Sequence, residues 1–297
     1  MVGIFDMAKL LTGSQSLMKK IPEENKEYSK ELIDNAKKNL EESKDLYNKR
    51  NYALSIYYLD QALLLSIKSM SLLFSLLKLK DVKEKEYKSF EEFINKNKMI
   101  DKMKKLISQN SRMYELMLND DNKKRFKDDF EKYKNNLEDF IKKLKNINDR
   151  KSLVRLSSED IKKLFSLNDN INKYQLSDEI LESYINMAMN MLNKMGGAKF
   201  NNTLNQGMFK SLVKREIEKN VNNLNIFGNL LVLTIVLMLH ERSSKEYDRD
   251  LDFSPNNYTE DLGVVKEYNN LRSMVDNTIK FLENFLQVLD NGTGFNF

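Results

Sequence analysis

The sequence predicts an all-α fold: a multi-helix bundle with long antiparallel helices and a coiled-coil-like central hairpin. Three observations carry this. The 297 residues include only 2 Pro and 9 Gly, so helix breakers are few and the tight turns of β-hairpins are scarce. Charged residues make up 31% of the chain against 41% hydrophobic, a balance that suits amphipathic helices with thin apolar stripes. Those stripes recur at spacings of three and four along most of the chain.

The first segment, 1–24, is amphipathic, with Ile4, Phe5, Ala8 and Leu11 on one face. Such a stripe suits docking on the protein's own core, or contact with a membrane surface. Residues 25–80 hold a helix pair. Ile33, Ala36, Leu40, Ser43 and Tyr47 line one face of the first helix, which ends near Arg50 and Asn51. From Tyr52 to about Leu79 apolar residues surround the second, and between Leu54 and Leu77 only Asp60 and Lys68 are charged. A helix apolar all round is buried all round, and this one would be roughly 40 Å long. An Asp inside it is costly unless paired, so Asp60 calls for a partner such as Lys37, Lys44 or Lys68.

Residues 81–200 form a helical insertion. Phe90, Phe93 and Ile94 make a small apolar patch, and a Met-rich helix covers Met99 to Leu118. Phe126, Phe130, Tyr133, Leu137, Phe140, Leu144 and Ile147 then alternate four and three apart, a heptad seam of about three repeats. Its bulky aromatics suit an intramolecular groove better than a two-stranded coiled coil. Ser157 or Ser158, followed by Glu159 and Asp160, signals a helix start. Ser177, Asp178 and Glu179 repeat the signal ahead of a helix carrying Ile180 to Met195, and a linker follows from Gly196 to Gly207.

The C-terminal part, 201–290, holds an apolar helix, a polar loop from Ser243 to Asn257, and a final helix that Thr259, Glu260 and Asp261 would start. Its stripe runs Val264, Tyr268, Leu271, Val275, Leu282, Leu286 and Leu289. Residues 291–297 read as a flexible tail.

Composition excludes several classes. There is no Cys and one His, so disulfides, thiolate catalysis and Cys- or His-rich metal sites are ruled out. The net charge of +5 is small, and the clusters Lys123-Lys124-Arg125 and Lys142-Lys143 sit beside acids, so nucleic-acid binding is expected to be weak or absent. The N-terminus lacks the basic-then-apolar order of a secretory signal. The most apolar run, Leu230 to Leu239, is about half a bilayer span. We therefore expect no transmembrane span and a cytoplasmic location.

The segment Asn51-Tyr52-Ala53-Leu54-Ser55-Ile56-Tyr57-Tyr58-Leu59-Asp60-Gln61-Ala62-Leu63, leading to Lys68, resembles the second helix of HEPN domains. Ile33 to Tyr47 fits the family's first helix. The apolar helix into His240-Glu241, the loop with Tyr258 and the long closing helix resemble a HEPN ending. The middle, Asp81 to Gly207, is much longer than the family usually carries there. The resemblance implies a helical fold. It also implies either a metal-independent ribonuclease or a non-catalytic partner module of nucleotide- or RNA-linked stress and defence systems. The family's ribonuclease motif is an Arg followed four to six residues later by a His, with two copies facing each other in a dimer. Here the residues at those distances before His240 are Thr234, Ile235 and Val236, and Arg242 comes after it.

We therefore expect no catalytic, cofactor-binding or metal-ligating residues and no cofactor. The residues singled out as functional candidates are His240, Glu241, Arg242, Asp60 and Gln61. His240 could serve as an acid–base group oriented by Glu241, or simply suit a helix C-terminus as a cation. Asp60 and Gln61 could line a pocket or belong to an internal polar network. The function expected is a non-catalytic HEPN-like binding or partner module, acting through a protein partner or a homodimer formed by helix packing. The alternatives are a helical scaffold using the Phe126 to Ile147 seam, and a HEPN-type ribonuclease with a rearranged site.

Overall fold

The structure, a computed structural model, describes residues 21–83, 87–116, 118–172, 179, 182–183, 186 and 224–290. The described residues are helical apart from turns and loops, and they contain no strand beyond an isolated bridge between Asp248 and Phe253. Helix α1 spans Glu23–Asn48 and α2 spans Tyr52–Leu73. Ile33, Ala36, Leu40 and Ser43 of α1 are buried, as the spacing predicts, while Tyr47 is half-buried and Leu32 is buried on another face. Two acids in its first turn suit the helix dipole. It ends where Arg50 turns left-handed, at φ 61°, with Arg50 N–H donating to Tyr47 and Asn51 N–H to Leu46. That is the Schellman arrangement, normally built on Gly. The Asn51 side chain then caps α2 by accepting from the Leu54 N–H.

The two helices meet through hydroxyls. Ser43 donates to the Ser55 carbonyl at 2.8 Å and Ser55 returns the bond at 2.9 Å. Far along the pair, Ser69 donates to the Ser29 carbonyl at 3.4 Å. These pairings run in opposite order along the chain, so α2 doubles back over α1. Most of α2 is buried, its serines and Asp60 included, but the burial all round expected from its composition is not complete: Leu54, Tyr57, Tyr58, Gln61, Leu65 and Lys68 form one half-buried face. The helix is shorter than expected, however, and stops at Leu73 instead of near Leu79. Its 22 residues measure ~33 Å. Ser75 adopts φ 53°, and a second Schellman arrangement forms as Ser75 N–H donates to Leu72 and Leu76 N–H to Ser71. A short helix, α3 (Leu79–Lys83), follows and buries Val82 against Leu32 and Leu72.

Helix α4 (Phe90–Lys96) is capped by Ser89 and buries Phe90, Phe93 and Ile94. Helices α5 (Met99–Leu116) and α6 (Asp120–Lys143) form a second hairpin. The Lys127–Glu115 ion pair lies near its turn and the Lys104–Glu138 pair far from it. Phe126, Phe130, Tyr133 and Leu137 are buried in the same core cluster as α2. The seam therefore packs within its own chain. It ends earlier than its heptad spacing suggests. Helix α6 stops at Lys143, Asn146 caps a new helix α7 (Ile147–Leu153), and Ile147 is 44% exposed.

Helix α8 (Ser158–Asn172) starts where expected, with the Ser157 hydroxyl and the Asp160 carboxylate bonding each other's backbone N–H. Residues 224–237 form α9, and Leu230 to Leu239 are buried throughout. No helix among the described residues is long and apolar enough to cross a membrane. A single turn, α10 (His240–Ser243), and a loop lead to α11 (Gly263–Lys266) and α12 (Tyr268–Asp290). The last helix thus begins later than the Thr259-Glu260-Asp261 signal suggests. At Gly263 a Cβ would sit 2.0 Å from the Leu156 carbonyl oxygen, an approach only glycine permits. Of its expected stripe, Tyr268, Leu271, Val275, Leu282 and Leu286 are buried in α12, Val264 is buried in α11, and Leu289 is partly buried. The N-terminal stripe of Ile4 to Leu11, the helix carrying Ile180 to Met195, the linker Gly196 to Gly207 and the tail lie outside the described residues.

Candidate functional site

Gln61 and Glu241 come together across the fold. The Gln61 side-chain amide donates to Glu241 Oε1 at 3.3 Å and reaches Asp60 Oδ2 at 3.4 Å. The other Glu241 oxygen accepts the backbone N–H of Phe90 at 2.6 Å. That N–H belongs to the first turn of α4, where donors lack helical partners. One carboxylate thus ties α10 to α2 and to α4.

Asp60 is fully buried, next to the half-buried Gln61 on the neighbouring face of α2. Its Oδ1 has no hydrogen-bond partner. None of the lysines expected beside it forms an ion pair with it. Lys37 pairs with Glu283, and Lys68 lies over the Phe93 ring, 5.4 Å from its centre. Burial, and then the negative charge of Glu241, push the Asp60 carboxyl far above the usual carboxylate range. Burial also raises Glu241 and lowers Lys68. Lys245 stands over the Tyr57 ring at 4.6 Å and partly offsets both carboxyls.

His240 makes no bond to this cluster and pairs with Tyr258. It is 2% exposed, and its Nδ1 lies 2.8 Å from the Tyr258 hydroxyl, which Ser243 also meets at 3.0 Å. Burial lowers its pKa to about 3, so the ring is neutral at ordinary pH. The expectation of a cation favouring a helix C-terminus therefore fails, since desolvation outweighs the dipole here. Arg242 is exposed and bonds Glu246 at 2.9 Å. Of the five candidate residues, then, Asp60, Gln61 and Glu241 form one hydrogen-bonded cluster, His240 sits in a buried triad whose Tyr258 feels the Asp60 charge, and Arg242 belongs to the surface. Among the described residues no group of three or more acids or histidines is gathered for a metal.

Sequence reasoning missed Lys245, Tyr57 and the Phe90 N–H. Lys245 follows Glu241 by four residues, the spacing that places two side chains on one helical face. Nothing local in the sequence marks the Phe90 amide.

Residues 29–155 match the family model of the HEPN domain. This is a HEPN-like helical protein. No curated protein and no solved structure matches the chain. The HEPN match runs from α1 through α7 and contains Asp60 and Gln61, while His240 and Glu241 lie beyond its end. The acid cluster of this HEPN-like protein is therefore assembled half from the matched stretch and half from outside it.

Proposed function

We propose that this HEPN-like protein is a non-catalytic binding or partner module, acting in a nucleotide- or RNA-linked stress or defence system through a protein partner or a second copy. The observation that carries the reading is the state of its only histidine. A general acid–base group must reach its substrate and titrate near the working pH. His240 is buried, is held by Tyr258 and is neutral down to about pH 3. Arg242, the nearest arginine, is turned to Glu246 on the surface. The reading takes the architecture as a bundle of antiparallel helices with α5 and α6 as a coiled-coil-like hairpin. It places the unit as a first helix pair, an inserted hairpin region and a C-terminal part. It also takes the protein to be cytoplasmic, with weak or no affinity for nucleic acid.

The test is incubation of purified protein with single-stranded and structured RNA, without added metal. Intact RNA is the expected outcome. Cleavage that disappears in His240→Ala, with the variant still folded by circular dichroism, would establish a ribonuclease with a rearranged site instead.

A further inference from the structure

We propose that Asp60 and Glu241 form a proton-linked clasp: Asp60 holds a proton while α4 is docked on α2 and α10, and loss of that proton releases α4. Three geometric facts point to it. Asp60 is fully buried with one oxygen unpartnered, so an ionised carboxylate there would lack the donors that a buried charge requires. Gln61 has a single amide group between two acids and cannot neutralise either. Glu241 is only half-buried, so it is the member free to move. Its movement would strip the Phe90 N–H of its acceptor and loosen the start of α4.

The titratable groups around the pair come from every element packed there, including Tyr258 of the loop before α11, whose hydroxyl feels the Asp60 charge. Lys68 on α2, Lys245 beyond α10 and Glu91 on α4 all act on Glu241. Glu91 is itself engaged by Arg150 of α7 at 2.6 Å. The two lysines are the only cations acting on the pair among these, and each stands over an aromatic ring. When Asp60 ionises, Glu241 has an outward route toward Lys245. The device goes beyond the partner-module reading and does not depend on it.

The sign follows from linkage. A carboxyl whose folded-state pKa is raised binds more protons folded than unfolded, between its ordinary value and its elevated one. Stability is then greatest below that window and falls as pH rises through it, with the unfolding constant growing about tenfold per pH unit for one proton. His240 acts oppositely. Its lowered pKa makes stability fall as pH drops below about 6.5, where the unfolded ring takes up a proton. The two effects separate if the measurement starts at neutral pH.

The experiment is chemical unfolding of the full chain from pH about 6.5 to 9, with hydrogen exchange followed at the amides of residues 90–96. In the wild type the unfolding midpoint should fall as pH rises, and the α4 amides should lose protection more than the base-catalysed exchange rate explains. Asp60→Asn should flatten both trends, whatever its absolute stability, because slope is the readout. Glu241→Gln should move the transition to lower pH, since it removes the charge that raises Asp60. An unchanged slope in Asp60→Asn, or α4 protection that follows pH identically in both proteins, would overturn the proposal. A variant that fails to fold leaves the decision to Glu241→Gln, whose unshifted transition would equally overturn it.

Discussion

Two helical hairpins in this protein are sealed in different ways. Between α1 and α2 the contact is made by hydroxyls. Ser43 bonds Ser55 and lies 2.9 Å from the Tyr268 hydroxyl of α12, while Tyr47 stacks on Tyr268 with ring centres 4.0 Å apart. Between α5 and α6 the contact is aromatic. Tyr114 meets Phe126 edge-on at 5.1 Å, and Phe126, Phe130 and Tyr133 follow one another along α6. Near its turn the first hairpin satisfies Ser43 and Ser55 with partners on neighbouring helices, although farther along the seam the Ser29 hydroxyl is buried without one. The second buries a hydroxyl, that of Tyr133, with no partner. Small side chains let α1 and α2 approach closely and leave their polar atoms within reach of backbone carbonyls. Bulky rings hold α5 and α6 together by apolar area and offer no acceptor.

If that contrast is right, the aromatic hairpin should be most sensitive to lost volume. Phe130→Ala should cost about 3–5 kcal/mol through the cavity it leaves. Sedimentation should show the oligomeric state unchanged, because the seam faces its own chain. A dimer falling to a folded monomer would make the seam an intermolecular surface and favour a scaffold. The hydroxyl hairpin should instead be sensitive to lost polarity. Tyr268→Phe removes the group that meets Ser43 inside the core, and denaturant unfolding should register a loss of about 1–3 kcal/mol. A neutral result would mean that Ser43 and Ser55 are sufficient for each other.

The difference between the hairpins also sets what could be read from sequence. Periodicity is a statement about one helix, and it marked the buried faces of α1, α6 and α12 because each has a single apolar stripe. In α2 the composition suggests burial all round, and it misses both the half-buried face from Leu54 to Lys68 and the point where the helix stops. The residue that turns left-handed is Ser75, and the usual Gly or Asn signal is missing there. The start of α12 was misplaced for a related reason. Thr259, Glu260 and Asp261 look like a cap, but the tight passage of Gly263 over Leu156 is a tertiary constraint. Asp60 stood out as an anomaly from its neighbours alone. Its counterpart could not be found that way, since Glu241 reaches Gln61 from 180 residues along the chain. A lysine nearby in sequence was the natural partner to expect. The fold supplied another acid, and the physical problem at Asp60 became harder instead of being solved.

The turn of the first hairpin offers a smaller test. Arg50 pays for its left-handed conformation in steric strain, and its contact with Glu260 at 3.7 Å is exposed and contributes little. Arg50→Gly should therefore raise stability by about 1 kcal/mol in thermal or chemical unfolding. The second hairpin closes differently, with Asn119 capping α6, so it has no strained residue to relieve at that cap.

The smallest effect is the most pointed one, because the same substitution should act with opposite sign in the two hairpins. Tyr133 is almost wholly buried, and desolvation drives its hydroxyl well above the ordinary tyrosine range. The group forms no hydrogen bond, so folding strips its water and returns nothing. Removing one oxygen from such a place relieves a desolvation cost and leaves the ring's contacts with Phe130 intact. Tyr133→Phe should accordingly stabilise the protein by about 0.5–1 kcal/mol, where Tyr268→Phe destabilises it. Both are read from midpoints of the same unfolding titration at one pH, which cancels errors common to the two variants. A loss at Tyr133 as large as that at Tyr268 would mean its hydroxyl has an acceptor in solution. The two hairpins would then be sealed by the same rule, and the contrast between them would be one of side-chain size alone.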